Sequence, residues 1–261
     1  MATNAHVHAS ESWGDRTMVE RSNQEDRGYR PPDKVRTMTL GDLLAGKREI
    51  VPGQQARFGF EVEGFALPLW CAGDVELVKK RAVSIVGTRD VSQLGAARAR
   101  RLAKELSGEG VVVFSGLAKG VDTEALQSAI RSGGKVVAVI GTPIDKAYPA
   151  ENKRLQEEIY TEHLLVSQFR PGQRVFPSHF PARNKLMAAL SDATAIIEAG
   201  ETSGTLHQAA ECERLGRWLF IAQAVMDNAS LTWPRKFAKY EKCRVLRSVT
   251  DILSAIDPAH S

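Results

Sequence analysis

The sequence predicts an α/β fold, with a doubly wound, mostly parallel sheet and helices on both faces. In the stretch from Arg81 to Glu124, two apolar runs each stop at a glycine turn and then lead into a helix pattern. Similar units recur towards the C-terminus. The composition, 43% hydrophobic and 25% charged residues over 261 residues, suits one main globular domain with extensions.

The composition also excludes several classes of protein. No apolar run approaches the roughly 20 residues of a membrane-spanning helix, and the N-terminus lacks the basic start and apolar core of a secretion signal. Cys71, Cys212 and Cys243 are scattered without CxxC spacing, so neither a disulfide framework nor a metal site is predicted. We therefore expect a cytoplasmic protein with no membrane contact. A net charge of +4 permits a nucleic-acid partner without requiring one.

Changes in composition divide the chain into three segments. Residues 1–36 are polar, carry both signs of charge and include Pro31-Pro32, so we expect a flexible tail. Residues 37–80 are expected to form a short capping and lead-in segment. Residues 81–261 are the predicted main domain, in which strand and helix patterns alternate.

The spacing of apolar residues predicts the individual elements. In the lead-in segment, Met38 to Leu44 has helix-like spacing, and Phe58 to Val62 alternates like an edge strand. The strands predicted in the main domain are 82–86, 111–114, 136–140, 164–167, 195–198 and 218–221. The predicted helices follow the cap residue Ser92, begin at Asp122 or Thr123, span 151–160, lead from 181 to 190, and run from the turn at 199–205 to Leu215. In the helix after Ser92, the face expected to be buried carries Leu94, Ala97, Leu102 and Leu106.

The loop from Ser167 to Phe180 is long for a plain connection. Phe169, Phe176 and Phe180 alternate with Arg170 and Arg174 in this loop and could stack on nucleic-acid bases. The alternative, which we favour for two of the three rings, is that they pack the loop onto the core. His179 is assigned no role.

Glycine turns with hydroxyl or cationic neighbours follow several predicted strands. Because the carboxyl ends of parallel strands meet at one sheet edge, the turns at 87–89, 115–120 and 203–205 should lie close together. Glycine and a helix N-terminus let phosphate approach the backbone. The plain alternative is that glycine merely ends strands. No GxGxxG or GxxxxGK[ST] motif is present, which disfavours an ordinary dinucleotide site or an ATP-hydrolysing loop.

From Leu67 to Ile256 the sequence resembles the DNA-processing protein A family, also called Smf. The resemblance rests on PLWCAGD, SIVGTR, VVVFSGLAKGVDTEA, GGKVVAVIGTPIDKAYPAEN and FPARNKLMAALSDATAIIEAGETSGTLHQAAECERLGR, with a weaker final VTDIL. It implies an extended Rossmann-like domain that binds single-stranded DNA, commonly as a homodimer, and that helps to load a RecA-type recombinase during DNA uptake or recombination.

The resemblance also implies a set of binding residues, for which Arg89 and Arg183 offer bidentate contacts to phosphate while Lys119 and Lys185 add point charge. No catalytic residue, cofactor or metal is expected. The implied set is Gly87, Thr88, Arg89, Ser115, Gly116, Lys119, Arg183, Asn184, Lys185, Ser203, Gly204 and Thr205.

Some positions depart from the family pattern. Pro143 replaces a glycine of the third turn, and Ser167-Gln168 replaces a serine followed by glutamate. The chain after Phe220 lacks the expected glycine-rich loop, so that rim is expected to be rebuilt, either as a basic, aromatic rim or as a packing helix. The residues concerned are Trp233, Arg235 and Lys236. Because the chain ends at Ser261, we expect a core domain without the C-terminal winged helix.

An enzyme is the alternative interpretation. Lysine-decarboxylase-like phosphoribohydrolases have a related turn that holds a nucleotide monophosphate, but Gln208 stands where their acid would be. Glu198 and Glu211 offer no matching spacing, and Glu211 is expected to be exposed on a helix. A third interpretation, a nucleotide-sensing scaffold, keeps the pocket and changes the ligand.

Overall fold

A computed structural model describes residues 28–45, 47 and 66–257 of the chain. Within these residues, nine strands form a single sheet in the order β1-β2-β6-β5-β4-β3-β7-β8-β9. The strands from β6 to β9 along this order are parallel, and β1 and β2 add an antiparallel edge. The strands are β1 Arg36–Thr39, β2 Pro68–Gly73, β3 Ala82–Val86, β4 Val112–Ser115, β5 Val136–Ile140, β6 Leu164–Ser167, β7 Ala193–Ile196, β8 Trp218–Ala222 and β9 Cys243–Leu246.

Helices cover both faces of this sheet, as the sequence predicts, because alternate side chains of each strand point to opposite faces. In β4, for example, Val112 and Phe114 enter one hydrophobic cluster, and Val113 enters the other. The first cluster contains α1, α5, α6, α7 and α8, and the second contains α2, α3, α4 and α9. The helices are α1 Leu40–Leu44, α2 Gln93–Gly108, α3 Val121–Arg131, α4 Lys153–Glu162, α5 His179–Leu190, α6 Thr205–Leu215, α7 Gln223–Met226, α8 Trp233–Phe237 and α9 Val249–Ile256.

The strand order reverses at β3. The chain adds β4, β5 and β6 on one side of β3 and then crosses to add β7, β8 and β9 on the other. The segments that follow β3 and β7 therefore lead to helices on opposite faces of the sheet, since α2 packs in the second cluster and α6 in the first. In open α/β sheets, this divergence leaves a crevice at the carboxyl ends of the strands.

The lead-in segment differs from its prediction. Met38 lies in strand β1, and the helix is only α1, which Thr39 begins with a capping box to Asp42. Leu40, Leu43 and Leu44 are buried as expected. The strand predicted at 58–62 lies outside the described residues.

Part of the predicted tail packs against the domain. Tyr29 is buried, and its hydroxyl donates to the Ile144 carbonyl over 3.0 Å and accepts from Gln156 Nε2 over 2.8 Å. The Tyr160 hydroxyl donates to the Arg30 carbonyl over 2.7 Å. The expectation of a flexible tail is therefore wrong for the residues around Tyr29, because a single aromatic side chain anchors a polar segment.

The buried face of α2 also differs from its prediction. Leu94 is 68% exposed and Ala97 is exposed, whereas Gly95, Ala99 and the predicted Leu102 are buried. Small residues let this helix pack closely against α3, and this close approach outweighs the apolarity of Leu94.

The strand predicted at 195–198 is β7, which begins two residues earlier, at Ala193.

The three cysteines are free, buried thiols. Burial raises the pKa of Cys71 and of Cys212 to about 12, so both thiols stay protonated at neutral pH. In the described part of the chain, no three His, Cys, Asp or Glu side chains group as a metal site requires. No helix among the described residues has the length and apolar character needed to cross a bilayer.

Candidate nucleic-acid interface

A cleft of about 370 Å³ opens at the reversal point of the sheet. The turn after β3 forms one wall, the first half of α5 forms the second, and the segment leading into α6 forms the third. This arrangement brings together most of the predicted binding residues. The predicted residues that line the cleft are Gly87, Thr88, Arg89, Arg183, Asn184, Ser203, Gly204 and Thr205.

The turn after β3 is held by backbone hydrogen bonds. The Thr88 N–H donates to the Glu198 carbonyl over 2.7 Å, and the Thr88 carbonyl accepts from the Val121 N–H over 3.2 Å. A Cβ at Gly87 would lie 2.6 Å from both the Glu198 oxygen and the Val121 side chain, so this close approach requires glycine. The turn therefore presents Arg89 from a fixed backbone.

The N-terminus of α2 is already occupied by a side chain of this protein. The Glu198 carboxylate accepts from the Ser92 N–H over 3.1 Å and from the Ser92 hydroxyl over 2.6 Å. The positive end of this helix is thus neutralised by an internal anion. This role of Glu198, which lies two residues after the end of β7, was not predicted from the sequence.

The turn after β4 is held by two buried charged side chains, Asp122 and Arg183. Asp122 accepts from the backbone N–H groups of Gly116 and Ala118 over 3.0 and 3.4 Å. Arg183 donates to the carbonyl oxygen of Gly116 and, over 2.9 Å, to that of Val139. Burial raises the pKa of Asp122 and lowers that of Arg183, while the attraction between the two charges opposes both shifts.

This geometry changes the interpretation of two predicted residues. Arg183 is only 5% exposed, so its guanidinium lies beneath the cleft and supports the Gly116 turn. Ser115 is fully buried, and its hydroxyl donates to the Ile85 carbonyl over 2.7 Å. Ser115 belongs to the predicted binding set, and in this structure its hydroxyl joins β4 to β3.

The two predicted lysines lie outside the main cleft. Lys119 forms a half-exposed ion pair with Glu151 over 2.8 Å and lines a smaller pocket of about 40 Å³ beside Arg89. Lys185 is exposed on α5 and is not among the residues that line either pocket. Both cations were predicted to lie at the binding site, and Lys119 lines the smaller pocket, which shares Arg89 and Phe180 with the main cleft.

The third wall is the most open part of the cleft. The Asn184 side-chain amide donates to the Gly204 carbonyl over 3.1 Å, and the Ser203 hydroxyl donates to the Thr205 hydroxyl over 3.0 Å. A Cβ added at Gly204 would meet no atom within 4 Å. Helix α6 begins at Thr205, and its first backbone N–H groups donate within this wall, from Thr205 to the Ser203 hydroxyl over 3.3 Å and from Leu206 to the Ser203 carbonyl over 3.1 Å.

An aromatic pair lines the smaller pocket beside Arg89. The Phe180 ring lies 5.5 Å from the Tyr148 ring, and the Arg89 guanidinium lies 5.4 Å from the centre of Phe180. Tyr148 was not predicted as a site residue, although it follows β5 at the same sheet edge. Half-buried Phe180 thus lies between the loop after β5 and the turn after β3.

The other two phenylalanines of the 167–180 loop lie away from the cleft. Phe169 is buried and stacks on His179 with ring centres 3.8 Å apart. Phe176 is 38% exposed, packs edge-on against His179 and lies 5.4 Å from the Arg174 guanidinium. His179, to which no role was assigned, therefore holds this loop together.

The rim after β8 is a packing helix with a basic outer surface. In α8, Trp233 and Phe237 are buried, while Arg235 and Lys236 are exposed. The Thr232 N–H donates to the Glu201 carboxylate over 2.9 Å and ties α8 to the third wall of the cleft. Of the two alternatives for this rim, the packing helix is the one observed for Trp233.

Two polar residues of α6, Gln208 and Glu211, are buried. Gln208 is fully buried and donates from Nε2 to the Thr194 hydroxyl over 3.0 Å. Glu211, expected to be exposed, is buried and paired with Arg214. That expectation is wrong because α6 packs against β7 and α5 with this side inward.

The fold and the cleft define a Rossmann-like α/β protein whose polar, arginine-bordered opening lies at the reversal point of the sheet. A family model described as DNA recombination-mediator protein A matches residues 60–257. The chain belongs to this family, which confirms the resemblance inferred from its motifs.

Named relatives agree with this assignment. DNA processing protein DprA from Streptococcus pneumoniae is 40% identical over 163 residues, which cover 62% of this chain and 57% of the relative. DNA processing protein DprA from Bacillus subtilis is 33% identical over 225 residues, which cover 83% of this chain and 75% of the relative. The match to Protein Smf from Synechocystis sp. covers 35% of that protein.

Two solved structures share the fold. The X-ray structure of DNA processing protein A from Streptococcus pneumoniae matches with a TM-score of 0.71 and 30% identity, over 90% of this chain and 77% of the other. DNA processing protein A from Helicobacter pylori, described for its single-stranded DNA binding mode, matches with a TM-score of 0.68 and 23% identity, over 85% and 95% of the two chains. These matches confirm the predicted Rossmann-like sheet.

Proposed function

We propose that this chain binds single-stranded DNA without sequence preference and that the cleft at the reversal point holds the sugar-phosphate chain. The observation that carries the proposal is the convergence of the turns after β3 and β4, the wall before α6 and an aromatic pair around the main cleft and the smaller pocket, both of which Arg89 borders. The name of the family and its DNA-processing relatives support the same ligand.

Each wall has a chemical part in this proposal. The N-terminus of α6 and the hydroxyls of Ser203 and Thr205 bind one phosphate. Exposed Arg89 contacts the next phosphate bidentately, and Lys119 adds charge at the adjoining pocket. Phe180 and Tyr148 offer a surface on which a base can stack, worth about 1–3 kcal/mol per base. Contacts of these kinds do not distinguish bases, so no sequence preference is expected.

Arg183 contributes in a different way. Its buried guanidinium holds the Gly116 carbonyl and adds positive potential beneath the cleft, without a direct phosphate contact. Lys185 is exposed outside the cleft and adds charge to the approach. A homodimer, the loading of a RecA-type recombinase and a cytoplasmic location are further parts of the proposal, supported by the family assignment.

The test compares two cleft variants with a matched control by fluorescence anisotropy on labelled oligo-dT. Arg89→Ala should weaken binding by about tenfold or more, because a charge-assisted contact is lost. Gly204→Ala places a methyl group in open space, so it should leave folding intact and weaken binding only if phosphate approaches the backbone there. Gly108→Ala, at the end of α2 and equally unhindered, is the control.

Two outcomes would contradict this site. Wild-type affinity in both Arg89→Ala and Gly204→Ala would exclude the cleft as the binding surface. Binding that does not weaken with salt would exclude phosphate contacts, which should reduce log K by roughly 0.7 per phosphate for each unit of log salt concentration.

The phosphoribohydrolase alternative gains no support from this geometry. Gln208 is buried and bonded to Thr194, Glu198 caps α2, and Asp122 holds the Gly116 turn. Each candidate acid or amide thus has a structural partner. Incubation of the protein with nucleoside monophosphates should release no free base, and release that is lost in Arg89→Ala would favour the enzyme.

A further inference from the structure

A second, larger cleft opens at the carboxyl edge of the sheet. Its volume is about 480 Å³, within the roughly 300–1,000 Å³ typical of small-molecule sites. Ile197, Ala222 and Leu246 form its floor, at the ends of β7, β8 and β9, and all three are buried. Helix α2 forms one wall, and the start of α9 forms another. None of the predicted binding residues lines this cleft.

The rim of the second cleft is rich in arginine. Arg98 and Arg101 lie one turn apart on α2, and Arg247 precedes α9. The two carboxylates at the rim have partners, since Glu105 accepts from Arg101 over 2.7 Å and Asp227 accepts from the Gln223 amide over 2.6 Å. Within the described residues, no ion pair involves Arg98 or Arg247, and both are exposed.

Cationic groups above an apolar floor suit a ligand with an anionic end and a flat apolar part. Guanidinium groups favour phosphate, because their planar donors match its oxygens. The Ile197 and Leu246 side chains offer an apolar surface to a ring, and Ser248 and the Gln223 amide supply hydrogen-bonding groups at the opening. A purely apolar ligand would leave the arginines unused, and a bare inorganic anion would leave the floor unused.

We propose that this second cleft binds a phosphorylated nucleotide unit, with the phosphate on Arg98 and Arg247 and the base on the floor. The unit can come from a free mononucleotide or from the onward part of a DNA strand. Continuity of the chain favours communication with the first cleft, since Ile197 lies in the second cleft and the next residue, Glu198, bonds to Thr88 and Ser92. The strand source rests on the proposed function, whereas the free-nucleotide source does not.

The experiment uses the full chain and three fluorescent probes. These probes are N-methylanthraniloyl-AMP, a short oligo-dT of about 6 nucleotides and a longer one of about 20, which exceeds the site size of a single binding surface. The test variant carries Arg98→Glu together with Arg247→Glu. Lys104→Glu, an exposed charge reversal on α2 outside the cleft, is the matched control, and Arg89→Glu is measured in parallel.

Two results would support the second cleft. In the first, the AMP probe binds, the double variant weakens it by about tenfold or more, and Arg89→Glu leaves it unchanged, which identifies a free nucleotide. In the second, the AMP probe does not bind, and the double variant weakens only the longer oligo-dT, which identifies an onward strand. Affinities of the double variant within about twofold of Lys104→Glu for every probe would overturn the proposal.

The Arg89→Glu variant distinguishes this proposal from the proposal that the first cleft binds DNA. If Arg89→Glu leaves the short oligo-dT unchanged while the double variant weakens the AMP probe, the first cleft fails and the second stands. Thermal melting of each variant checks that the changes act on binding, because exposed charge reversals should leave the melting temperature almost unchanged.

Discussion

Arg89 and Arg183 carry the same charge in different surroundings. Arg89 is exposed above Phe180, whereas Arg183 lies beneath the cleft, bonded to two backbone carbonyls and attracted by Asp122. A buried charge is tolerated only when partners replace the water that it has lost. The two residues should therefore respond differently to the same substitution.

Arg183→Ala should lower the free energy of unfolding by about 3–5 kcal/mol, because it removes the positive charge that attracts the buried Asp122 carboxylate and the donor to the Gly116 and Val139 carbonyls. Arg89→Ala should change it by less than about 0.5 kcal/mol, because the side chain is exposed. Denaturant unfolding measures both changes. Equal stability of the two variants would show that Arg183 is not a structural residue.

His179 should make stability depend on pH. Burial lowers the pKa of His179 below its usual 6.5, so the folded chain favours the neutral ring. As pH falls below 6.5, the unfolded chain takes up this proton first. The stabilisation is therefore complete above the unfolded pKa and is lost as pH falls towards the folded pKa.

The measurement compares unfolding at about pH 7.5 and about pH 5, on either side of the ordinary titration. His179→Gln should lose less stability between these values than the wild type. His163, whose pKa burial also lowers, is the second contributor, and His163→Gln should remove a separate share. A wild-type pH dependence that persists unchanged in both variants would contradict this account.

At the scale of elements, α2 illustrates how packing overrides an apolar pattern. The helix packs through Gly95, Ala99 and Ala103 and leaves Leu94 exposed. Its N-terminus is fixed by Glu198, which lies against Gly95. A Cβ at Gly95 would also meet the Val91 side chain at 2.9 Å. The start of this helix therefore requires glycine at position 95.

Gly95→Ala should destabilise the protein, even though alanine favours helix by up to about 1 kcal/mol over glycine. The added methyl group would displace the Glu198 carboxylate and break its hydrogen bonds to the N–H and hydroxyl of Ser92. Gly108→Ala in the same helix meets no atom within 4 Å and should be neutral or slightly stabilising. Melting temperatures that change in the same direction would contradict the proposed role of this contact.

For the whole molecule, the antiparallel edge of the sheet sets how much of the chain is needed for stability. Strand β1 and helix α1 add Leu40, Leu43 and Leu44 to the first hydrophobic cluster. Burial of each leucine contributes about 1.5–3 kcal/mol. Three such residues approach the full stability of an ordinary domain, which is about 5–15 kcal/mol.

Deletion of residues 1–65 should therefore yield a chain that melts far lower or does not fold. Deletion of residues 1–27, predicted from their polarity to contribute little to a core, should leave the melting temperature close to that of the full chain. Deletion of residues 1–35 should be intermediate, because it removes the hydrogen bonds of Tyr29. Equal melting temperatures for the first two deletions would contradict the placement of the core.

The periodicity of apolar residues predicted most of the repeating strands and helices. It failed for features that depend on contacts between residues distant in sequence. The strands at 82–86 and 136–140 match the structure because continuous apolar runs fit a buried parallel sheet. The short β1 and the docking of Tyr29 were missed, since both depend on partners distant in sequence. Tyr148 was missed for the same reason, because its neighbour Phe180 lies in another loop.

The sequence by itself determined the α/β class, the order of the elements and the identity of the glycine turns, because these follow from local spacing and backbone freedom. Only the tertiary structure decided which polar groups reach solvent. It buried Ser115, Gln208 and Arg183 and left Arg89 exposed above Phe180. Burial depends on chain segments that meet only when the sheet is assembled, so residues alike in sequence acquire different roles in the fold.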